Sequence, residues 1–314
     1  MKDLIDCVTI GSAIMDTFVQ LRSVHHHEDV FQSGHADQCF PLGTKLDVPQ
    51  IMQQSGGGAT NSAVTFARQR LTTQIVTKVG DDAAGRIVLD DLAKDRVDTK
   101  MVIKAKGGKT GQSVILVDPN SERSILTDRG SSGHLSAEDL SVLDRVQARW
   151  AYVTSLNGSE EALDRVFQWA DTKQVKVAWN PGIADIGKHT KHLSRWLKTV
   201  SLFIANHEEA TLLLAEEGAS DYLMTQLHAK GVKRAVISDG INASALLDDN
   251  QIWAVTPTEV NAIDRTGAGD ALGSGTVAGL LQGRPFKQAV EQGMLNAEHV
   301  VMQLGAKTGI MYKK

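Results

Sequence analysis

The residues with the clearest chemical potential lie near the C-terminus, where a small-residue loop, 266–269, precedes Asp270. Apolar Leu272, Ala278 and Leu281 follow at helical spacing, which predicts that a helix begins at this loop. The first N–H groups of a helix lack partners within it, so such a loop can bind an anion. A carboxylate beside bound phosphate is disfavoured unless it has a task, such as accepting the proton of an attacking hydroxyl. The alternative is an ordinary glycine turn that starts a helix.

Composition and length restrict the class of protein. The chain has 314 residues, 42% of them hydrophobic, and a formal net charge of −4, so it can bury a large core and has no general attraction for nucleic acid. Two cysteines, Cys7 and Cys39, are too few for a disulfide framework. The sequence contains no signal-peptide pattern and no run of about 18 apolar residues. We therefore expect a soluble cytoplasmic protein with no nucleic-acid or membrane partner.

A second glycine-rich loop precedes another helical pattern. Gly56, Gly57 and Gly58 allow a ligand to approach the backbone, and Asn61 on the first turn can donate and accept hydrogen bonds, which suits a sugar hydroxyl. Asn is also favoured near helix starts for local reasons. Asp16 lies inside an apolar predicted strand, where it is either a hydrogen-bond acceptor at a strand end or a ligand for substrate hydroxyls.

Strand and helix patterns alternate in the second half of the chain, which predicts a doubly wound α/β fold with a parallel sheet between helices. Ligands of such sheets bind beyond the carboxyl ends of the strands. The predicted strands cover residues 5–11, 14–21, 74–79, 150–154, 175–179, 201–205 and 235–238, the predicted helices include 159–171 and 221–229, and a hairpin is predicted within 110–126.

Polar side chains follow two of these strands. Asn206 and Glu209 are spaced to share one face of a helix start, where they can organise the water shell of Mg²⁺ or form a capping box. Ser238 and Gly240 follow the next strand, in a loop that either contacts a nucleotide or merely turns. Sequence spacing alone leaves both alternatives open at each place.

The segment from residue 22 to residue 50 carries glycine, proline and many polar residues. It is either a flexible excursion or a small projecting sheet. His25, His26 and His27 invite a metal interpretation, but adjacent residues of a strand point in different directions and do not form a tetrahedral site. We predict that this triplet lies in an exposed loop.

Together these motifs resemble those of the ribokinase-like (PfkB) family of sugar and nucleoside kinases, in the family's order and at similar spacing. The motifs are Gly56-Gly57-Gly58-x-x-Asn61, Lys78-Val79-Gly80-Asp81-Asp82, Asn206-x-x-Glu209 and Asp264-x-Thr266-Gly267-Ala268-Gly269-Asp270. The resemblance implies ATP-dependent transfer of the γ-phosphoryl group to an alcohol oxygen, usually of a hydroxymethyl group. It also implies one domain over 1–314 with a three-layer α/β/α fold and a small β-sheet lid, formed by about 13–50 and 99–127, that excludes water.

The resemblance assigns roles to individual residues. Asp270 would be the base, and the amides of Gly267, Ala268 and Gly269 would form the anion hole. Mg²⁺ would be held through water by Asn206 and Glu209. The nucleotide would be bound by Ser238 and Gly240, with Asn296 near the adenosine. The hydroxyls of the substrate would be bound by Asp16, Gly56, Gly57, Gly58 and Asn61. A monovalent cation and a homodimer through the lid are left open.

The sequence departs from the family pattern at three places. The glycine common after the first-motif helix is replaced near Arg70 and Leu71, which we expect to alter a turn and not the chemistry. Arg265 stands where a small residue is usual, and it either touches a phosphate or points to solvent. Gly58 stands where ribokinases proper often carry Lys, which leaves ribose less secure as the substrate.

Several functions remain to be distinguished. A sugar of the ribose or fructose type is the leading acceptor, and an adenosine-type nucleoside is the alternative, because Phe18, Phe31 and Phe40 either stack on a base or form the small core of the lid. A non-catalytic sugar- or nucleotide-binding regulator is disfavoured because Asp270 and the glycines are present. A dinucleotide-dependent oxidoreductase is disfavoured because no GxGxxG follows the first strand.

Overall fold

A computed structural model describes residues 4–22, 25–28, 36–40, 42–119, 123–188 and 193–313. The strands are β1 (Ile5–Ile10), β2 (Ile14–Gln20), β3 (His25–Glu28), β4 (Ala36–Cys39), β5 (Gln50–Gly56), β6 (Thr73–Val76), β7 (Lys78–Gly80), β8 (Ile103–Ala105), β9 (Gly111–Val117), β10 (Arg123–Asp128), β11 (Ala148–Val153), β12 (Lys176–Trp179), β13 (Leu202–Asn206), β14 (Arg234–Ser238), β15 (Ser244–Asp248) and β16 (Gln251–Val255). The helices are α1 (Gly58–Arg68), α2 (Ala83–Lys94), α3 (Glu160–Lys173), α4 (Ile183–Lys188), α5 (Leu193–Leu197), α6 (His207–Leu214), α7 (Ser220–Ala229), α8 (Ala268–Leu281) and α9 (Phe286–Val301), with 3₁₀ turns at Gly130–His134 and Asp139–Arg145.

The main sheet has the strand order β16-β15-β14-β13-β12-β11-β1-β6 in the part of the chain that the structure describes. Its strands from β14 to β6 run parallel, and β15 and β16 add an antiparallel edge. Because side chains alternate along a strand, β13 sends Leu202 and Ile204 to one face and Phe203 and Ala205 to the other. The first face packs against α8 and α9, and the second against α3, α6 and α7. The result is a three-layer α/β/α arrangement, as predicted.

A second sheet has the order β10-β9-β2-β5 and its own small core of Phe18, Ile115 and Val117, with Met52 and Leu304 against it. Burial in this core excludes Phe18 from stacking on a base. Phe40 is partly exposed, and Phe31 lies outside the described residues. The β9–β10 hairpin is confirmed, although residues 120–122 at its turn also lie outside them.

The structure corrects three local predictions. The single strand expected at 74–79 divides at Thr77, with β6 in the main sheet and β7 paired with β8. Residues 54–56, expected to lead directly into a helix, end strand β5 of the second sheet. The histidine triplet forms strand β3, paired antiparallel with β4, and not a loop. None of the helices in the described ranges is long and apolar enough to cross a membrane.

Candidate active site

Two helix starts that are far apart in sequence meet in the structure. Asn61 on the first turns of α1 donates a hydrogen bond from Nδ2 to Oδ2 of Asp270 on the first turn of α8, at 2.9 Å across 209 positions of sequence. The two glycine-rich motifs singled out in the sequence therefore form one site.

The loop before Asp270 leaves backbone donors open. Gly267 caps α8 in the left-handed conformation at φ 81°, which favours glycine. A methyl group at this position would also lie 2.6 Å from Cβ of Ala306, so the space available requires glycine as well. Among the described residues, no acceptor faces the N–H groups of Gly267 and Gly269, whereas Ala268 donates to the carbonyl of Arg265 at 3.3 Å. A methyl group on Gly269 would meet no atom within 4 Å, so this helix start faces open space. An anion can therefore approach the loop.

Burial raises the pKa of Asp270 above its usual range, while the hydrogen bond from Asn61 and the positive charge of Lys307 oppose that rise. A raised pKa makes the carboxylate a stronger base than an exposed aspartate. This electrostatic setting suits a proton acceptor.

Asp16 provides a second carboxylate, close enough for the charge of Asp270 to act on it. Its side chain is buried, and burial raises its pKa to about 6. A methyl group on Gly56 would overlap Oδ2 of Asp16, so glycine makes room for the carboxylate. Oδ1 of Asp16 and Oδ1 of Asn61 are buried without a hydrogen-bond partner in the described parts of the chain. Buried acceptors of this kind need donors, which the hydroxyls of a ligand or water molecules can supply.

For the other two glycines of this loop, packing alone explains the residue type. Gly57 has φ 94°, and a methyl group there would lie 2.6 Å from the carbonyl oxygen of Ser12. A methyl group on Gly58 would lie 2.8 Å from Cβ of Thr154. Their predicted contact with substrate stays a prediction.

Asn206 and Glu209 form the capping box that the sequence left open. Oδ1 of Asn206 accepts from the N–H of Glu209 at 2.7 Å, and Oε2 of Glu209 accepts from the N–H of Asn206 at 2.9 Å. Burial raises the pKa of Glu209 to about 7, and the charge of Asp270 adds to this rise. Oε1 takes no part in the cap, so capping and a role near a cation are compatible. Ser238 lies beside Asn206 in register on the adjacent parallel strand, and Gly240 follows at φ 57°.

The prediction for Asn296 is wrong in this structure. Asn296 is 2% exposed, its Nδ2 donates to the carbonyl of Ala271 at 3.0 Å, and its Oδ1 accepts from the N–H of Met311 at 3.0 Å. Both ends of the amide therefore tie α9 to α8 and to the C-terminal segment, residues 302–313. Because the side chain is buried and both of its polar ends bond within the protein, it is not presented to an adenosine.

The comparisons agree with this geometry. The model described as "pfkB family carbohydrate kinase" matches residues 31–312. The chain belongs to this family. A ribokinase of Staphylococcus aureus (strain COL) is 26% identical over 85% of this chain and 89% of its own length. A structure of Arabidopsis thaliana ribokinase complexed with ribose and ATP superposes with a TM-score of 0.77 at 18% identity, covering 99% of this chain and 96% of the other. Adenosine kinase from Sinorhizobium meliloti superposes with a TM-score of 0.79 at 23% identity, covering 97% and 96%. The two structural likenesses show the fold, which is that of ribokinase.

Two residues that depart from the family pattern, Arg70 and Arg265, can be located in the structure. Arg70 follows α1 in the left-handed conformation, with φ 59°, where a glycine would be free of strain. This change affects a turn, as expected. Arg265 is exposed, and its carbonyl accepts from Ala268 at the start of α8.

The Lys78–Asp82 motif of this pfkB chain serves the scaffold. Asp82 caps α2 by accepting from the N–H of Gly85 at 2.8 Å, and it accepts from the N–H of Thr110 at 2.8 Å and its hydroxyl at 2.6 Å. Thr110 directly precedes β9, so Asp82 joins the main body to the second sheet. Lys78 forms an ion pair with Asp139 at 2.8 Å.

Lys307 is a residue of the site that no sequence motif predicted. This residue lies in the C-terminal segment, is almost completely buried, and acts electrostatically on both Asp16 and Asp270. It belongs to none of the motifs, and a single lysine near a chain end gives no sequence signal. Asp264 was part of a motif without a role: Oδ1 accepts from the N–H and hydroxyl of Thr266, and Oδ2 accepts from the N–H of Gly305 at 2.9 Å.

Proposed function

We propose that this pfkB-family kinase transfers the γ-phosphoryl group of ATP to a hydroxymethyl oxygen of a sugar, with Asp270 as the base. The observation that carries the proposal is the meeting of Asp270 with Asn61, beside the acceptor-free amides of Gly267 and Gly269 and the unpartnered acceptor of Asp16. One side of this site suits an anion and the other suits a polyol.

In the proposed reaction, the acceptor hydroxyl gives its proton to the Asp270 carboxylate while its oxygen forms a bond to the γ-phosphorus. The bond between that phosphorus and the bridging oxygen breaks, and ADP leaves with the bond's electron pair. The amides of Gly267 and Gly269 stabilise charge on the transferring group. The amide of Ala268, already bonded to Arg265, contributes less than we expected from the sequence.

The acceptor class follows from the unpartnered groups. Oδ1 of Asp16 and Oδ1 of Asn61 both require donors, which the hydroxyls of a neutral sugar supply. Burial of Phe18 removes one of the three aromatic residues that supported a nucleoside. These observations favour a sugar, and a nucleoside remains an outcome of the test below.

Mg²⁺ and ATP fit the groups at the carboxyl ends of β13 and β14. Mg²⁺ prefers oxygen ligands and keeps several waters, and Glu209 offers a carboxylate oxygen outside its cap with a pKa raised to about 7 by burial. We propose that Glu209 and Asn206 hold Mg²⁺ through water and that Ser238 and Gly240 line the nucleotide site. The bound ion would neutralise phosphate charge.

We further propose that the second sheet is the lid and joins two copies of the chain. One face of this sheet carries Ile51, Val114 and Leu126, which are 62%, 38% and 63% exposed. Apolar side chains gathered on one exposed face support association with a second copy. Sedimentation equilibrium tests this: a monomer at micromolar concentration would contradict it.

An ADP-release assay across pentoses, hexoses and nucleosides tests the function. We expect Mg²⁺-dependent turnover with at least one sugar, with phosphorylated product identified by mass spectrometry. Turnover with nucleosides alone would replace the sugar by the alternative acceptor. No phosphorylation of any alcohol would contradict the kinase proposal.

A further inference from the structure

Lys307 is a buried lysine that the proposed reaction does not use. Its Nζ donates to Oγ of Ser55 at 2.6 Å, its N–H donates to Oε1 of Gln54 at 3.3 Å, and its carbonyl accepts from Arg68 at 2.7 Å. It is 4% exposed. These three contacts fix both the backbone and the ammonium group of Lys307 against β5 and the end of α1.

The position of Ser55 places this ammonium beside the acceptor site. In the antiparallel pairing of β2 and β5, Asp16 faces Gln54 and Met15 faces Ser55. The N–H of Lys307 therefore contacts the strand residue opposite Asp16, and its Nζ contacts the next residue along. The positive charge of Lys307 acts on both Asp16 and Asp270.

An ammonium group has three N–H donors, and among the described residues Nζ of Lys307 has one acceptor, the hydroxyl of Ser55. Burying a charge in this way is costly unless other charges compensate. The charged groups that face Lys307 or the acceptor site are Asp16 on β2, Asp91 and Asp95 on α2, Arg68 on α1, Asp270 on α8 and Asp264 in the loop before it.

Most of these groups already have strong partners. Asp91 is paired with Lys94 at 2.8 Å and accepts from the N–H of Ser55 at 3.2 Å. Asp95 accepts two hydrogen bonds from Arg68, at 2.8 and 3.1 Å.

Three groups remain, Asp16, Asp264 and Asp270. Asp264 accepts from Thr266 and Gly305, and Asp270 accepts from Asn61. Asp16 combines deep burial with an oxygen that lacks a partner among the described residues. The charge of Lys307 acts most strongly on Asp91, which is already paired with Lys94, and next on Asp16, whose Oδ1 has no partner among the described residues.

We propose that Lys307 is a positioning residue of the acceptor site, whose buried ammonium keeps the Asp16 carboxylate ionised and ready to accept hydroxyl hydrogen bonds. The assignment of Asp16 to the acceptor rests on the proposed function. Lys307 acts through Asp16 and is therefore not a catalytic residue.

Asp16 and Lys307 affect each other's pKa, and this predicts the direction in which the pKa of Asp16 changes when the lysine is removed. Burial raises the pKa of Asp16 to about 6, and Lys307 limits that rise. Burial lowers the pKa of Lys307 to about 7, and Asp91 and Asp16 oppose that fall. Removing the lysine therefore raises the pKa of Asp16 further, so that a larger fraction of Asp16 is protonated near neutral pH and cannot accept on both oxygens.

The test is Lys307→Met in the full chain, with Lys94→Met as the matched control. Lys94 is 74% exposed and pairs with Asp91 on α2, so its loss removes one positive charge at the surface while the contacts of Lys307 with Ser55 and Gln54 stay in place. For Lys307→Met we expect the acid limb of kcat/KM to move up by about one pH unit, so that KM for the acceptor rises about twofold at pH 7 and about tenfold at pH 5. KM for ATP stays unchanged, and Lys94→Met behaves like the parent.

A double-mutant cycle separates this role from a merely structural one. In an Asp16→Asn background, we expect Lys307→Met to have little further effect on acceptor KM. An equal effect in both backgrounds, or an unchanged pH profile in the single variant, overturns the proposal. Ser55→Ala, which removes only the acceptor for Nζ, should shift KM in the same direction by a smaller factor.

The same double-mutant cycle can be measured without a substrate, by urea unfolding at about pH 6.5, between the pKa of Asp16 at about 6 and that of Lys307 at about 7. We expect the double variant to be more stable than the sum of the two single effects predicts, because neither buried charge is left alone. Additive effects on unfolding contradict the coupling even if the chain phosphorylates a sugar. Coupling in unfolding without any phosphorylation would retain the Lys307–Asp16 pair and refute the proposed function instead.

Discussion

Replacing Asp270 by asparagine removes the proposed base with the least change in shape. Oδ2 of Asp270 accepts one hydrogen bond, from Nδ2 of Asn61 at 2.9 Å, and the oxygen of an amide can accept the same bond. Asp270→Asn therefore keeps the contact between α1 and α8 and removes the negative charge together with the ability to take a proton.

The magnitude of the loss follows from the role. A positioned general base contributes about 10²- to 10⁴-fold, which corresponds to about 3–5 kcal/mol in the activation free energy. We expect kcat to fall by this factor in an ADP-release assay with the acceptor identified in the screen. ATP binding measured by titration calorimetry should be nearly unchanged, because the amides of Gly267 and Gly269 remain.

Stability provides an independent readout. Burial raises the pKa of Asp270, so the ionised carboxylate is penalised in the folded state at every pH above that pKa. For an acid of this kind, stability falls as pH rises from the unfolded toward the folded pKa. The neutral amide lacks this penalty, and we expect the variant to unfold at pH 8 at the same or a higher temperature than the parent.

The result that would refute this reasoning is a folded Asp270→Asn variant that phosphorylates as fast as the parent. Asp81→Asn is the matched control, since Asp81 is exposed and belongs to another motif. An equal loss of activity in both variants would also count against a specific role for Asp270.

Three further predictions concern particular residues. Gly56→Ala places a methyl group where Oδ2 of Asp16 lies, so acceptor kcat/KM should fall by about 10²-fold, and unchanged kinetics would show that the carboxylate position is unimportant. Glu209→Gln keeps the capping box with Asn206, because Gln also serves at this position of the cap, but it removes the negative charge. The Mg²⁺ concentration for half-maximal activity should therefore rise about tenfold. An unchanged Mg²⁺ response would show that Glu209 only caps the helix. Arg70→Gly relieves a left-handed residue at φ 59° and should stabilise the fold by about 1 kcal/mol in urea unfolding without changing kcat, whereas destabilisation would contradict the strain.

Features that depend on neighbours in sequence were predictable from the residues alone. Alternating apolar segments predicted the parallel sheet between helix layers, because side-chain periodicity reports which face of an element is buried. The helix start at Gly267 and the pairing of Asn206 with Glu209 were predictable, since caps and left-handed glycines are local in their hydrogen bonds. The family motifs placed Asn61 and Asp270 in order along the chain.

Features that depend on packing between distant elements were decided only by the tertiary structure. Thr77 separates two strands because the two halves of an apolar run join different sheets. The polar type of Asn296 suggested a ligand contact, but its amide spans α8, α9 and the C-terminal segment.

The sequence by itself determined the fold class, the family and the order of the chemical groups. Tertiary structure decided which of these groups touch, as Asn61 touches Asp270 across 209 positions. It also decided that Lys307, which no motif contains, is buried with its ammonium on Ser55 and its charge acting on Asp16. The physical reason is that burial and charge compensation depend on distances in space, and sequence spacing sets those distances only within a single helix, strand or turn.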